Sequence, residues 1–422
     1  MARVLIIGSG AREHALAWRL LRDEEVTEVI CAPGNGGTSS FATNRPCDLS
    51  SEAIVSLAQA EDPDLTVIGP EAPLVAGAAD ALRAAGRVVF GPDRAAARLE
   101  GSKAFSKEFM ARHDIPTASF RVFDEADAAI AYCRSEDRPL VVKADGLAAG
   151  KGVVVAADAD EAEAAVRRIM VDRAFGDAGD RVMIEERLAG QEVSYHVVAD
   201  GNDFVRLSPA QDHKRAFDGD RGPNTGGMGA YSPPPVVTPE VEEAIIESTV
   251  RPTLKGMSAE GCPFAGALFI GFMVDAGIPR VLEYNVRFGD PECQTIALRL
   301  GGSLFALLDG AARGTLAGHE PHWAAPAAMA VVLASRGYPG PYEKGEKITG
   351  LGDANAVEGV TVFHAGTKVV DGTYRTSGGR VLSVTAAGET IDIAAERAYQ
   401  AADRIRFEGK QYRRDIGHHA RR

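Results

Sequence analysis

The apolar positions fall into short continuous runs, divided by glycine and proline turns and by stretches of helical periodicity. Val4-Leu5-Ile6-Ile7 is a β-branched and leucine run of the kind buried on both faces of a parallel sheet. Gly8-Ser9-Gly10-Ala11-Arg12-Glu13 then opens a helical stretch from His14 to Leu21. Glu28 to Ala32 predicts a second strand, ending in the loop Pro33-Gly34-Asn35-Gly36-Gly37. Leu65 to Gly69 predicts a third, followed by Pro70-Glu71-Ala72-Pro73-Leu74 and a helix from Val75 to Ala85. Arg87 to Phe90 closes the unit, so residues 1–101 predict a doubly wound parallel sheet.

Beyond it, Ser102 can cap a helix running from Lys103 to Met110. Pro139 to Val142 and Val153 to Val155 predict strands flanking a glycine-rich hairpin, Lys143-Ala144-Asp145-Gly146-Leu147-Ala148-Ala149-Gly150-Lys151-Gly152. Arg181 to Leu188 reads as a strand entering a connector, and Gly190 to Tyr195 starts another. Glu240 to Met257 and Gln294 to Arg313 are helix-like. A strand from Ala328 to Ala334 sets a boundary near Pro326. Residues 326–422 predict a mixed β/α domain, with strands at Val360 to His364 and Gly378 to Val384 and a helix from Ile391 to Ile405. The tail, His418-His419-Ala420-Arg421-Arg422, is too short to read.

The chemistry concentrates where Arg280-Val281-Leu282 runs into Glu283-Tyr284-Asn285-Val286-Arg287-Phe288-Gly289-Asp290-Pro291-Glu292. On a strand, Glu283, Asn285 and Arg287 share a face. A carboxylate and an amide oxygen are hard donors suited to Mg²⁺, which keeps waters and takes further ligands from substrate phosphates. The adjoining guanidinium can grip a carboxylate or phosphate through paired hydrogen bonds. Gly289-Asp290-Pro291 turns the chain beside that face. A merely wet edge strand is the bland alternative.

Other candidates follow from local chemistry. The turn at Gly10 precedes a helix and suits one phosphate, with Arg12 assisting. It fails as a dinucleotide fingerprint, because Glu13 holds the third glycine position and would crowd the helix and repel a pyrophosphate. Glu71, at a strand's carboxyl end, can accept hydrogen bonds from sugar hydroxyls, or simply complement a helix dipole. The hairpin is not a Walker loop, since Gly152 and a valine run follow Lys151; it can fold over a triphosphate, with Lys143 beneath. The connector after Glu185 offers backbone groups to an adenine edge, and Glu192 can hold ribose hydroxyls. Asp212-His213-Lys214-Arg215 and the glycine-rich Gly222 to Gly229, with Asn224, Thr225 and Gly226, suit a phosphosugar, Lys214 neutralising phosphate charge. His213 tempts as an acid–base group but reads better as a hydrogen-bonding histidine.

Size and charge narrow the class. A chain of 422 residues has room for two to four domains, and 45% hydrophobic with 25% charged residues is ordinary for a globular protein. A net charge of -13 argues against non-specific nucleic-acid binding. Five scattered cysteines, with no CxxC pair, suit a reducing cytosol; with no signal peptide and no apolar run of membrane length, a cytoplasmic location without a membrane partner is expected.

Taken together, Lys143, Asp145-Gly146, Gly150-Lys151-Gly152, Glu185-Glu186 and Glu283-Tyr284-Asn285 resemble the ATP-grasp superfamily of carboxylate–amine ligases. More narrowly, and over essentially the full length, the chain resembles the glycinamide ribonucleotide synthetases. Gly8 to Ala15, Gly69 to Leu74, Leu99 to Lys103, Gln211 to Arg215, Gly222 to Gly229 and Arg287 to Glu292 carry that resemblance. It implies an ATP-grasp domain over 102–325, with a lid subdomain near 120–190, between the N- and C-terminal domains. It implies ATP against Lys103, Lys143, Gly150, Lys151, Gly152, Glu185, Leu188 and Glu192, with Mg²⁺ or Mn²⁺ on Glu283 and Asn285. Glycine would lie against Arg287, Gly289 and Asp290, and 5-phosphoribosylamine against Gly10, Arg12, Glu13 and Glu71. Asp212, Lys214, Asn224, Thr225 and Gly226 would line the same substrate space, with Lys143, Lys214, Arg287 and Asp290 nearest the chemistry. A monomer or weak oligomer is expected. The strand before Glu283 reads Ile270-Gly271-Phe272-Met273, without the further acidic ligand common in the superfamily, so the metal site should be lean in protein ligands. Another ATP-grasp ligase and a nucleotide-sensing protein with a dead site remain as alternatives; a dehydrogenase is disfavoured by Glu13.

Overall fold

The computed structural model describes residues 1–148 and 152–421. Its N-terminal sheet is all parallel, in the spatial order Thr43–Asn44, Val26–Pro33, Ala2–Gly8, Leu65–Ile68, Val89–Phe90. Alternate residues of the first strand serve two cores. Leu5 and Ile7 join Ile30, Ile68, Phe109, Tyr195 and Ile270, whereas Val4 and Ile6 join Val29, Val67, Ile296 and Leu308. Burial on both faces is why this strand reads as an unbroken apolar run.

The central sheet is antiparallel, in the order Phe204–Arg206, Gln191–Asp200, Ala265–Asp275, Ile278–Asn285. A separate antiparallel sheet, Phe120–Phe123, Val182–Glu186, Leu140–Ala144, Val153–Ala156, falls in the span expected for a lid subdomain. Its own core includes Ala129, Cys133, Val142, Val166 and Ile184.

The C-terminal sheet crosses the sequence boundary expected at Pro326. Ala327–Ala334 pairs on one side with Arg380–Gly388 and on the other with Gly229–Ser232, which in turn pairs with Gln211–Asp212. Strands on either side of residue 326 therefore share one ladder, because an antiparallel edge is filled by whichever strand completes its hydrogen bonds. The stretch leading into the glycine-rich segment is likewise a hairpin in part, Arg215–Phe217 against Arg221–Asn224.

Two expected helices are broken. The one over 75–85 becomes Glu71–Ala76 and Ala78–Ala84 about Gly77, whose φ of 90° takes it out of the right-handed helical region. The one over 294–313 becomes Glu292–Arg299 and Leu304–Arg313, the second capped by Ser303. Just before the unread tail, the fully buried Arg413 lies 2.7 Å from Asp220 and 2.8 Å from Asp415. All five cysteines are free thiols, and among the described residues no helix is long and apolar enough to cross a membrane.

Candidate active site

Glu283 owes its aim to an irregularity in the ladder. Gly271 pairs with Glu283 and the adjacent Phe272 with Val281, so Leu282 is an extra, bulged residue. Tyr284, Val286 and Phe288 are buried in the core, while Glu283, Asn285 and Arg287 are half-buried on the opposite face. The bulged Leu282 offers its carbonyl to the Lys143 ammonium at 3.3 Å. Lys214 lies between two carboxylates, 3.1 Å from Glu192 and 3.6 Å from Glu283. Burial pushes the Glu283 carboxyl up, but Lys214, Lys143, Lys103 and Arg287 outweigh it and bring it to about 2. An ionised carboxylate beside the Asn285 amide oxygen fits a hard divalent cation, and the directly paired residue across the ladder is Gly271, which adds no ligand.

The nucleotide candidates gather around the lid sheet's base. Ser102 caps the helix Lys103–Arg112 and also donates to Asp145 at 2.9 Å, tying the hairpin's first turn to the helix start. Lys103 donates to the Gly146 carbonyl at 3.0 Å. Gly152 has no room for a side chain, since a Cβ there would lie 2.6 Å from that of Ala148. Gly150 and Lys151 lie outside the described residues. The Glu185 carboxylate is buried between Lys107 at 3.2 Å and Lys143 at 3.0 Å. A strand inside the lid sheet must turn alternate side chains inward, and this one falls inside. Leu188 is buried, and Glu192 is occupied by Lys214.

At the other end, Arg287 is fixed by Glu100 at 3.0 Å, by Asn285 at 3.1 Å and, more loosely, by Glu71 at 3.5 Å. The second oxygen of Glu100 accepts the Val286 amide at 2.7 Å. Burial raises the Glu71 carboxyl, yet Arg287 and Arg12 pull it below its ordinary range. Burial pushes the Asp290 carboxyl up in the same way, but Arg380 and Arg12 hold it low; Gln294 donates to it at 2.9 Å and Arg380 lies at 3.3 Å. Arg12 is buried and donates to the Phe288 carbonyl at 3.1 Å, joining the N-terminal helix to this turn.

The glycine turn is closed by Glu13. The Gly10 amide is not free: it donates to the Glu13 carboxylate at 2.6 Å, whose other oxygen takes Arg12 at 2.6 Å. Glu13 does not crowd the packing, because Gly8 and Gly69 lack the Cβ that would strike it. The Gly289 amide is similarly engaged, donating to His196 at 3.1 Å. Thr225 spends its hydroxyl on the Lys214 carbonyl at 2.9 Å, and Gly226 is held between Tyr338 and Arg380. Asn224 closes the hairpin opposite Arg215. Burial, with Glu292, Glu192 and Glu283 nearby, raises the Asp212 carboxyl well above its usual range despite Lys214.

His213, Asp220 and His418 converge as a metal-like trio, but His213 Nε2 accepts the Gly417 amide at 2.8 Å. Its Nδ1 then carries the proton and has no lone pair for an ion. Sequence reasoning gave no role to Lys107, Glu100, His196 or Arg380. Glu100 stood in a quoted motif without a role; Arg380 gave no local signal, since it arrives from the C-terminal sheet.

Comparison with known proteins gives the family. Family models described as phosphoribosylglycinamide synthetase N domain, ATP-grasp (A) domain and C domain match residues 2–100, 101–293 and 328–419. A phosphoribosylamine–glycine ligase from Pseudomonas aeruginosa is 52% identical, covering 99% of this chain and 98% of its own. The crystal structure of a phosphoribosylamine–glycine ligase from Thermotoga maritima superposes with a TM-score of 0.85 at 37% identity, covering 98% of this chain and 100% of that one. A Campylobacter jejuni biotin carboxylase, at 16% identity, TM-score 0.76 and coverage of 97% and 93%, shares the fold alone. The chain belongs to the phosphoribosylglycinamide synthetase family.

Proposed function

We propose that this chain joins glycine to 5-phosphoribosylamine at the expense of ATP, giving glycinamide ribonucleotide, ADP and phosphate in purine biosynthesis. The carrying observation is the convergence of Lys143 on the Leu282 carbonyl and of Lys214 on Glu283, beside Arg287. The glycine carboxylate attacks the γ-phosphorus, the bond to the β-phosphate oxygen breaks, and ADP departs. The amine nitrogen of phosphoribosylamine then attacks the glycyl carbonyl carbon, loses a proton and expels phosphate. No side chain serves as nucleophile; catalysis comes from alignment and from neutralising spreading negative charge.

Glu283 and Asn285 would hold Mg²⁺ or Mn²⁺, which when bound shields the phosphate oxygens. Lys143, Lys103 and Lys214 face the triphosphate; Arg287 takes the glycine carboxylate and Asp290 its ammonium. Arg12 and Glu71 hold the phosphosugar. The lid closes before transfer, because an acyl phosphate is lost to water.

The test is a coupled assay: ADP should form only when glycine and phosphoribosylamine are both present, and Glu283→Ala should abolish turnover with the circular-dichroism spectrum unchanged. ADP release that ignores glycine would overturn the assignment and leave only the superfamily.

A further inference from the structure

Lys107 lies one helical turn beyond Lys103 and is 1% exposed; Glu185 is 2% and Lys143 5% exposed. One carboxylate thus has two ammonium partners, Lys107 on Oε1 at 3.2 Å and Lys143 on Oε2 at 3.0 Å. The two lysines differ in their remaining contacts. Lys107 is spent inside the protein, donating to Thr117 Oγ1 and, at 3.5 Å, to the Val281 carbonyl. Thr117 is fixed in turn by its own 2.6 Å hydrogen bond to that carbonyl. Lys143 reaches the Leu282 carbonyl at the cleft, next to Glu283.

Of the two ammonium groups on this buried carboxylate, Lys107 has its other contacts inside the protein, whereas Lys143 lies against the strand that carries Glu283. We infer that Lys107 is a positioning residue: it keeps Glu185 neutralised, so that Lys143 can pass from Glu185 to the phosphates of the nucleotide. Without Lys107 that transfer would strand a bare carboxylate in the interior, and Lys143 would stay pinned to it. The inference rests on the reading of Lys143 as a phosphate contact. It assigns Lys107 a role that simple adhesion between helix and lid sheet would not give.

The experiment measures KM for ATP, KM for glycine and kcat in the full chain, for Lys107→Met and Lys107→Arg, each alone and with Glu185→Gln. Lys107→Met should raise KM for ATP about tenfold, the equivalent of about 1.4 kcal/mol, with KM for glycine unchanged. Lys107→Arg should restore it. With Glu185→Gln there is no charge to abandon, so adding Lys107→Met should leave KM for ATP within about twofold of Glu185→Gln alone. An unchanged KM for ATP in Lys107→Met, or the same tenfold rise in the Glu185→Gln background, overturns the inference. Lys143→Met separates the two levels: if it leaves KM for ATP unaltered, the phosphate reading itself fails. Should Lys107→Met not fold, Lys107→Gln removes the charge while keeping a donor for Thr117, and the same outcomes apply.

Discussion

At the scale of single residues, the site is a set of charges each held by another. Arg287 presents its guanidinium because Glu100 grips it from behind, with Val286 locking the far oxygen of Glu100. Burial raises the Glu100 carboxyl, so the arginine is what keeps it paired and useful. Glu100→Gln keeps the shape and one acceptor but loses the charge-assisted bond, a difference of about 1 kcal/mol. KM for glycine should rise roughly fivefold on that basis, with KM for ATP unchanged, as initial-rate kinetics would show. A rise in both constants alike would mean that Glu100 supports the cleft in general and not Arg287.

At the scale of elements, glycines decide which loops can approach. Gly69 ends the strand Leu65–Ile68 where a Cβ would fall on the Glu13 carboxylate, the group that caps the Gly10 turn. Gly69→Ala should overpack this spot by about 1–3 kcal/mol and raise KM for phosphoribosylamine more than KM for ATP. Thermal denaturation with parallel kinetics checks both. The bulge at Leu282 acts similarly on the strand Ile278–Asn285: by inserting one residue it lets Leu282 offer its carbonyl to Lys143 while Glu283 stays on the same face as Asn285.

At the scale of the whole molecule, the N- and C-terminal domains meet at two buried histidines. His14 accepts the His364 amide at 3.0 Å, and Asn35 donates to the His364 carbonyl at 2.8 Å. Burial pushes His364 down to about 4, and burial with His364 nearby lowers His14 well below its ordinary value. The unfolded chain binds protons at these imidazoles below about pH 6.5, whereas the folded chain does not. Stability is therefore full above that pH and falls as pH drops from about 6.5 towards 4. The melting temperature should decline across this window, and His364→Gln should flatten the decline. An equally steep decline in that variant would place the acid sensitivity elsewhere.

Much was legible in the sequence because it depends on neighbours in the chain. The continuous run Val4 to Ile7 announced a strand buried on both faces, Ser102 announced a helix start, and the alternation from Glu283 to Arg287 put three polar groups on one face. Covalent spacing fixes such things before any tertiary contact forms. The partners of those groups were not legible, since Lys107 and Lys143 on Glu185, Glu100 behind Arg287 and Arg380 over Asp290 are separated by tens of residues or more. The shared ladder across residue 326 escaped for the same reason. The sequence by itself determined which groups are available and which way each strand turns them. Only the tertiary structure decided which charges neutralise one another, because burial sets the cost of a charge and the fold alone says what is buried beside it.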